Sequence, residues 1–324
     1  MKWVERLDGW QKRRRALALP IATVYKFVDD QGIFLAALIT YYGFLSLFPL
    51  LLLLTSVLGF VLQTQPDLQE RMLDTALSQF PVIGAEARTP GGLRGSATAV
   101  VVGVLIAMYG ASRVAIATQH MMNVCWAVPR HKRPDPITAR LRSGVLIAIA
   151  VAGLVGSTVL SALSSSASAY GLDIGGLTSA LLFVASLVMI CALFALGMRT
   201  ATTRSLTWRQ VLPGAVTAAL GWQVMQSFGA KYVGQVVNTT NDTYGVFALV
   251  LGLMAWLYVV AVIVVLSVEI NVVVLKGLYP RALLAPFTED TELTDADEQS
   301  FEESAHATKT KEFEDVEVSF DNEQ

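Results

Sequence analysis

The stretch YYGFLSLFPLLLLL, residues 41–54, decides what kind of protein this is. It lies within residues 31–66, a run without a single charged side chain. A helix needs about 20 apolar residues to cross the hydrocarbon core of a bilayer, and this run supplies them. Its interior is not uniform, because Tyr41, Tyr42, Gly43, Ser46 and Pro49 interrupt the leucines. Pro49 removes the hydrogen bond to the carbonyl of Leu45 and crowds the preceding turn. The run therefore reads as a membrane span with a built-in irregularity rather than a plain anchor.

The rest of the 324-residue chain agrees. Hydrophobic residues make up 54% and charged residues 15%, against about 25% charged in soluble domains. The mean hydropathy is +0.53. Six apolar segments stand out, at about 33–62, 97–118, 144–163, 177–198, 211–228 and 244–275. A spanning chain must satisfy its backbone polar groups internally, and these runs lack the alternation of barrel strands. The expected fold is all-α: a polytopic membrane protein with six transmembrane helices.

Charge sets the expected orientation. Seventeen Lys and Arg flank the spans on the side of the N-terminus, and four (Arg71, Arg88, Arg94 and Lys231) lie on the other. By the positive-inside rule both termini are cytoplasmic. The N-terminus has no apolar core followed by a small-residue cleavage site, so a signal peptide is not expected. Cys125 and Cys191 are too few for a disulfide framework.

Three regions follow. Residues 1–30 form a basic stretch in which Trp3, Leu7 and Trp10 share a helical face, suited to lying on anionic lipid. Residues 31–285 form the six-helix domain. Residues 286–324 are acidic: within 289–324 lie 14 of the 26 acids and two lysines, a net charge of −12. The remaining 288 residues carry +10. The tail has too little apolar content to fold alone and reads as a disordered cytoplasmic extension, with a partner-binding role as the alternative. A second amphipathic helix is expected in the loop between the first two spans, where Leu68, Met72, Ala76 and Phe80 recur at spacing four.

Chemistry of a conventional kind is not visible. His120, His131 and His306 are scattered, and no phosphate loop, nucleophile elbow or paired metal-ligand spacing occurs. No cofactor, metal or enzymatic activity is expected, and the basic loops are better explained by topology and lipid than by nucleic acid. Glycines such as Gly153 and Gly156 suit close helix packing. Ionisable residues inside spans are the better clue to function. Arg113 and Glu269 fall toward the cytoplasmic ends of the second and sixth spans. They are expected either to snorkel or to form a buried pair. Pro213, near the start of the fifth span, kinks that helix if it begins at Trp208. It belongs to the first turn if the helix begins at Leu212.

The blocks LAALITYYGFLSLFPLLLLL, YGASRVAIATQHMMNVCWAV, PGAVTAALGW and YGVFALVLGLMAWLYVVAVIVVLSVEIN occur in this order between residues 35 and 271. Together they resemble the YihY/BrkB family of bacterial inner-membrane proteins, including its YhjD branch. The resemblance implies a six-helix protein tied to envelope integrity. In the YhjD branch it implies movement of lipids or lipid-like glycoconjugates. It also carries an old ribonuclease label, regarded as a misassignment; the cytoplasmic loops here offer no acid cluster to hold catalytic metal.

The leading expectation is thus a transporter or flippase for an anionic amphipathic lipid. Tyr41, Tyr42, Ser46, Pro49, Arg113, Pro213 and Glu269 would border its path. A cytoplasmic rim of Arg130, Lys132, Arg133, Arg140 and Arg142 would attract the headgroup. The alternatives are an envelope scaffold and a small-solute channel. Expected partners are membrane lipids, a second copy of the chain, and a cytoplasmic partner for the tail.

Overall fold

The computed structural model describes residues 8–9, 11, 14–61, 97–169, 176–239, 245–283 and 292–320. Its regular structure is helical: α1 (Arg15–Asp29), α2 (Gly32–Val61), α3 (Ala97–Cys125), a 3₁₀ turn (Arg130–Lys132), α4 (Pro136–Ala169), α5 (Gly176–Ala201), α6 (Trp208–Thr239), α7 (Gly245–Lys276) and α8 (Asp295–Ala307). No strand forms among the described residues. The six apolar segments coincide with α2–α7. Four of these helices are long and apolar enough to cross a membrane, at Val101–Cys125, Pro136–Val159, Ala180–Ala201 and Val250–Lys276. The described part of α2 adds the apolar helix Gly32–Leu47.

Helices α2–α7 form a ring in chain order, closed by packing of α7 on α2. Their outer surfaces carry large apolar side chains, among them Phe34, Leu105, Phe183, Phe228 and Phe247. Hydrocarbon is a solvent that accepts such a surface, and water is not. Since lipid tails are as apolar as leucine, the helices must be held by close packing and polar contacts instead. Helix α6 shows the pattern: Val211, Ala215, Ala218 and Ala219 are buried, while Leu212, Val216 and Leu220 face outward. Small residues mark the tightest crossings. A Cβ on Gly110 of α3 would lie 2.9 Å from Ser46 Cβ of α2. One on Gly153 of α4 would meet Leu193 of α5, and one on Gly156 would meet Met189, as the spacing of these glycines anticipates.

The α6–α7 crossing is the closest. Helix α6 begins at Trp208, so Pro213 lies inside it. Pro213 has no N–H to give, and the next N–H, of Gly214, donates to Asn271 Oδ1 at 2.6 Å. A Cβ on Gly214 would stand 2.0 Å from the Ser267 carbonyl oxygen. The missing Cβ of Gly214 thus lets α6 lie directly on α7. Helix α2 is continuous through position 49, but the side chain of Pro49 lies outside the described residues. So do the loop helix between α2 and α3 and most of the N-terminal basic stretch.

One end of the ring carries both α1 and α8. Helix α1 buries Ala18, Ala22, Thr23, Lys26 and Phe27, a stripe at helical spacing. It turns into α2 through Gln31, whose φ of 56° is left-handed. Gly32 follows beneath the Phe27 ring, with no room for a Cβ. At the far end of the chain α7 closes on Gly277 (φ 69°), and the Leu278 N–H reaches the Val273 carbonyl at 3.1 Å.

The acidic tail differs from its sequence reading. Residues 295–307 form α8, opened by a capping box between Thr294 and Asp297. It docks through buried charge. Arg281, 1% exposed, pairs with Asp297, which is wholly buried, and with Asp29 at 2.8 Å. Lys276 binds Glu303 at 2.6 Å. Composition suggested that this segment could not fold alone, but it does not have to. The bundle supplies the cations.

Candidate functional site

Four buried side chains meet beneath α1, and each comes from a different place in the chain. Lys26 comes from α1, Asp30 from the α1–α2 turn, Cys125 from the last turn of α3 and Glu269 from α7. The tight turn at Gln31 and Gly32 fixes Asp30 above α7. Lys26 Nζ donates to Asp30 Oδ2, its i+4 neighbour. One donor atom each of Asp30, Cys125 and Glu269 lie within 4.8 Å of one another. Lys26 is 1% exposed, and Cys125 and Glu269 are fully buried. Neither Glu269 oxygen has a hydrogen-bond partner.

The electrostatics are mutual. Burial pulls the Lys26 ammonium down, but the Glu269 and Asp30 carboxylates outweigh it and hold its pKa above the ordinary value. Burial raises Asp30, and Lys26 opposes that rise without cancelling it. The thiol and two carboxylates could be taken for a metal centre. However, an ammonium already sits on Asp30, and a divalent ion would have to displace it.

The candidates read from sequence divide. Tyr41, Tyr42, Ser46 and Arg113 gather where α2 meets α3. Arg113 donates to Tyr109 Oη through Nη2 at 2.9 Å and Nε at 3.2 Å, and stands 6.0 Å from the Tyr42 ring centroid. Tyr41 meets Tyr42 edge to face at 5.3 Å. Arg113 is exposed on the outer face of the ring. Glu269 is on the inside. Of the two alternatives, the buried Arg113–Glu269 pair does not form, because similar depth along two helices did not mean the same side. Pro213 lies beside the α6–α7 crossing at Gly214 and lines neither group.

A cavity of about 310 Å³ lies inside the ring. Its walls come from α2, α3, α4, α5 and α7, with Ile39, Met122, Phe194 and Val264 typical of the lining. Its polar wall groups are spent, since the Thr40 and Thr118 hydroxyls donate to the carbonyls of Ala36 and Val114. Of the pathway candidates whose side chains are described, Tyr41, Tyr42, Ser46, Arg113, Pro213 and Glu269, none lines it, although Gly43 and Val114, the neighbours of Tyr42 and Arg113, do.

The rim is partly structural. Arg130, Lys132 and Arg140 are exposed. Arg133 is instead bonded to the Val128 carbonyl at 3.1 Å, and Arg142 to that of Thr202 at 3.0 Å. Both hold loops at the α1/α8 end. Sequence reading counted Lys26 and Arg281 only as topological charges and passed over Asp30 and Asn271. A Lys-x-x-x-Asp spacing was visible at 26–30, as was the Thr-x-x-Asp capping signal at 294–297.

The separation of Arg113 from Glu269 has a measurable consequence. In a double-mutant cycle with Arg113→Gln and Glu269→Gln, the effects on thermal stability add. A double variant more stable than Glu269→Gln alone would restore the pair.

Comparison with known proteins agrees with the architecture. The profile of the family described as Virulence factor BrkB matches residues 23–286, which include α2–α7 and the buried cluster. An uncharacterized protein of Dickeya dadantii (strain 3937) is 27% identical over 274 residues, 78% of this chain and 82% of its own length. The UPF0761 membrane protein of Nitrosospira multiformis is 24% identical over 255 residues, 73% of this chain but 56% of its own. The ribonuclease-like protein YfkH of Bacillus subtilis (strain 168) is 32% identical over 90 residues, 28% of this chain and 31% of its own. No solved structure matches. With the family profile covering the whole ring of apolar helices, the chain belongs to the BrkB family of membrane proteins.

Proposed function

We propose that this protein moves an anionic amphipathic lipid, or a lipid-linked glycoconjugate, across the bacterial inner membrane. In this reading α2–α7 all span, and the α1/α8 end faces the cytoplasm, following the 17-to-4 bias of Lys and Arg. The observation that carries the proposal is the cavity. At about 310 Å³ it falls at the small end of ligand pockets, roughly 300–1,000 Å³. Among the described residues its walls are almost wholly hydrocarbon, with the Thr40 and Thr118 hydroxyl protons already given to their own helices, which suits an acyl chain. A path for small polar solutes needs polar lining to replace hydration.

Arg113, on the lipid-facing side of the same helix pair, is a cation at a depth where free charge is disfavoured. A phosphate headgroup passing α2 and α3 would be its natural counter-ion, with Tyr41, Tyr42 and Tyr109 as an amphipathic track. The exposed Arg130, Lys132 and Arg140 would gather the same headgroups at the cytoplasmic surface. The docked α8 weighs against a scaffold that works by a free tail.

The test is translocation of headgroup-labelled anionic lipid in proteoliposomes. The wild type is expected to exceed protein-free vesicles. Gly43 and Gly197 line the cavity, and a Cβ on either meets nothing within 4 Å. Gly43→Leu and Gly197→Leu should therefore fill it without unfolding the bundle, and lower the rate about tenfold or more. Arg113→Gln should reduce the preference for anionic over zwitterionic lipid.

A further inference from the structure

We propose that Asp30 and Glu269 form a proton-binding site, one exchangeable proton shared between two buried carboxylates beside Lys26. The geometry carries this without reference to what the protein transports. Count the charges in the ionised cluster. Lys26 contributes one positive charge, while Asp30 and Glu269 contribute two negative charges. The site excludes the water that would screen the surplus. Asp30 is the member nearest solvent, with its side chain 7% exposed, against 1% for Lys26. Two carboxylates this close cannot both ionise without a second cation. A single proton is the smallest cation that closes the count.

The hydrogen-bond inventory points the same way. A buried carboxylate ordinarily accepts several hydrogen bonds. Glu269 accepts none at either oxygen, although a carboxylate oxygen of Asp30 and the thiol of Cys125 lie within 4.8 Å of it. An acceptor-only group facing another acceptor is the wrong species. A protonated carboxyl becomes a donor to its neighbour, and the pair is then complementary. Lys26 Nζ, on the other side of Asp30, holds the charge that remains. Among the described residues, α1 gives Lys26 to the site, the turn Asp30, α3 Cys125 and α7 Glu269. Lys276 lies farther along α7 and is paired with Glu303. Asp29 is turned to Arg281.

The site joins three helices, so its proton is also a clamp. Loss of the proton leaves two negative charges facing each other where the α1–α2 turn meets α7.

Infrared spectroscopy of the full chain in nanodiscs tests the assignment through the C=O stretch of a protonated carboxyl. At neutral pH the wild type should show one such buried band, and it should vanish on alkaline titration. Glu269→Gln and Asp30→Asn should each lose it, because the carboxylate left behind is neutralised by Lys26 alone. Lys26→Met should raise its intensity about twofold, since two carboxylates without an ammonium need two protons. Cys125→Ser should leave it unchanged. Absence of the band from the wild type near neutral pH overturns the proposal, and that result needs no variant to fold. So does a band that appears only after chelation of a stoichiometric metal ion, which would make the cluster a metal site. Neither readout depends on lipid movement, so the proton site and the lipid reading can fail separately.

Discussion

Arg281→Met costs about 3–5 kcal/mol of stability, the range for removing one partner of a buried ion pair. Arg281 is 1% exposed and joins three parts of the chain. Its guanidinium binds Asp297 of α8 and Asp29 of α1, and its carbonyl accepts from Gln11 at 2.5 Å. Methionine preserves much of the stem but leaves Asp297, wholly buried, without a cation. Asp297 also accepts from the Ala282 N–H at 2.9 Å and closes the capping box of α8. The loss is therefore local in origin and wide in effect: α8 releases from the bundle. Thermal unfolding in detergent measures the cost, and limited proteolysis within 292–320 reports the release. Arg281→Met/Asp297→Asn should recover part of the loss, because the stranded charge goes with it. An Arg281→Met protein with unchanged stability and a protected tail would show that α8 is held by something else.

Gly214→Ala has the second large effect. A single methyl would overlap the Ser267 carbonyl oxygen at 2.0 Å and Asn271 Nδ2 at 2.4 Å. Neither is the loose end of a flexible chain. The carbonyl belongs to α7, and Asn271 is 1% exposed and bonded to the Gly214 N–H. Helices α6 and α7 must separate, and the Asn271 bond breaks with them. Overpacking costs about 1–3 kcal/mol where neighbours adjust; here the expected loss is at the top of that range or beyond. Gly43→Ala is the matched control. Its Cβ meets nothing within 4 Å, and alanine favours a helix over glycine by about 1 kcal/mol. The two substitutions are chemically identical and should have opposite signs in the same unfolding assay. Equal effects would contradict the close crossing.

These two sites show where sequence reading succeeds and where it stops. The helices α2–α7 were legible because a charge-free run long enough to span is a local property, visible without knowing its neighbours. Pro213 was legible as a feature of α6, and the helix start at Trp208 resolved which feature. What Gly214 touches was not legible, because Ser267 and Asn271 lie far along the chain. The same limit explains Glu269. Its apolar surroundings were readable from the sequence, which left snorkelling and burial both open, and its partner was not. Arg113 was the visible opposite charge at matching depth, and rotation about the helix axis puts it on the outer face. The actual cation, Lys26, sat in a basic stretch where topology already seemed to explain every charge. For the tail, the composition of residues 286–324 pointed to a segment without a core of its own. It could not show that Arg281 and Lys276 wait at the end of α7 to dock them.

Translocation of a labelled anionic lipid, measured for the wild type and for Gly43→Leu/Gly197→Leu in matched proteoliposomes, tests the lipid reading most directly. The cavity account predicts rapid movement by the wild type and a rate near that of empty vesicles for the filled cavity, with both proteins equally folded. Equal rates for the two proteins, or no movement by the wild type for any anionic lipid, would contradict it.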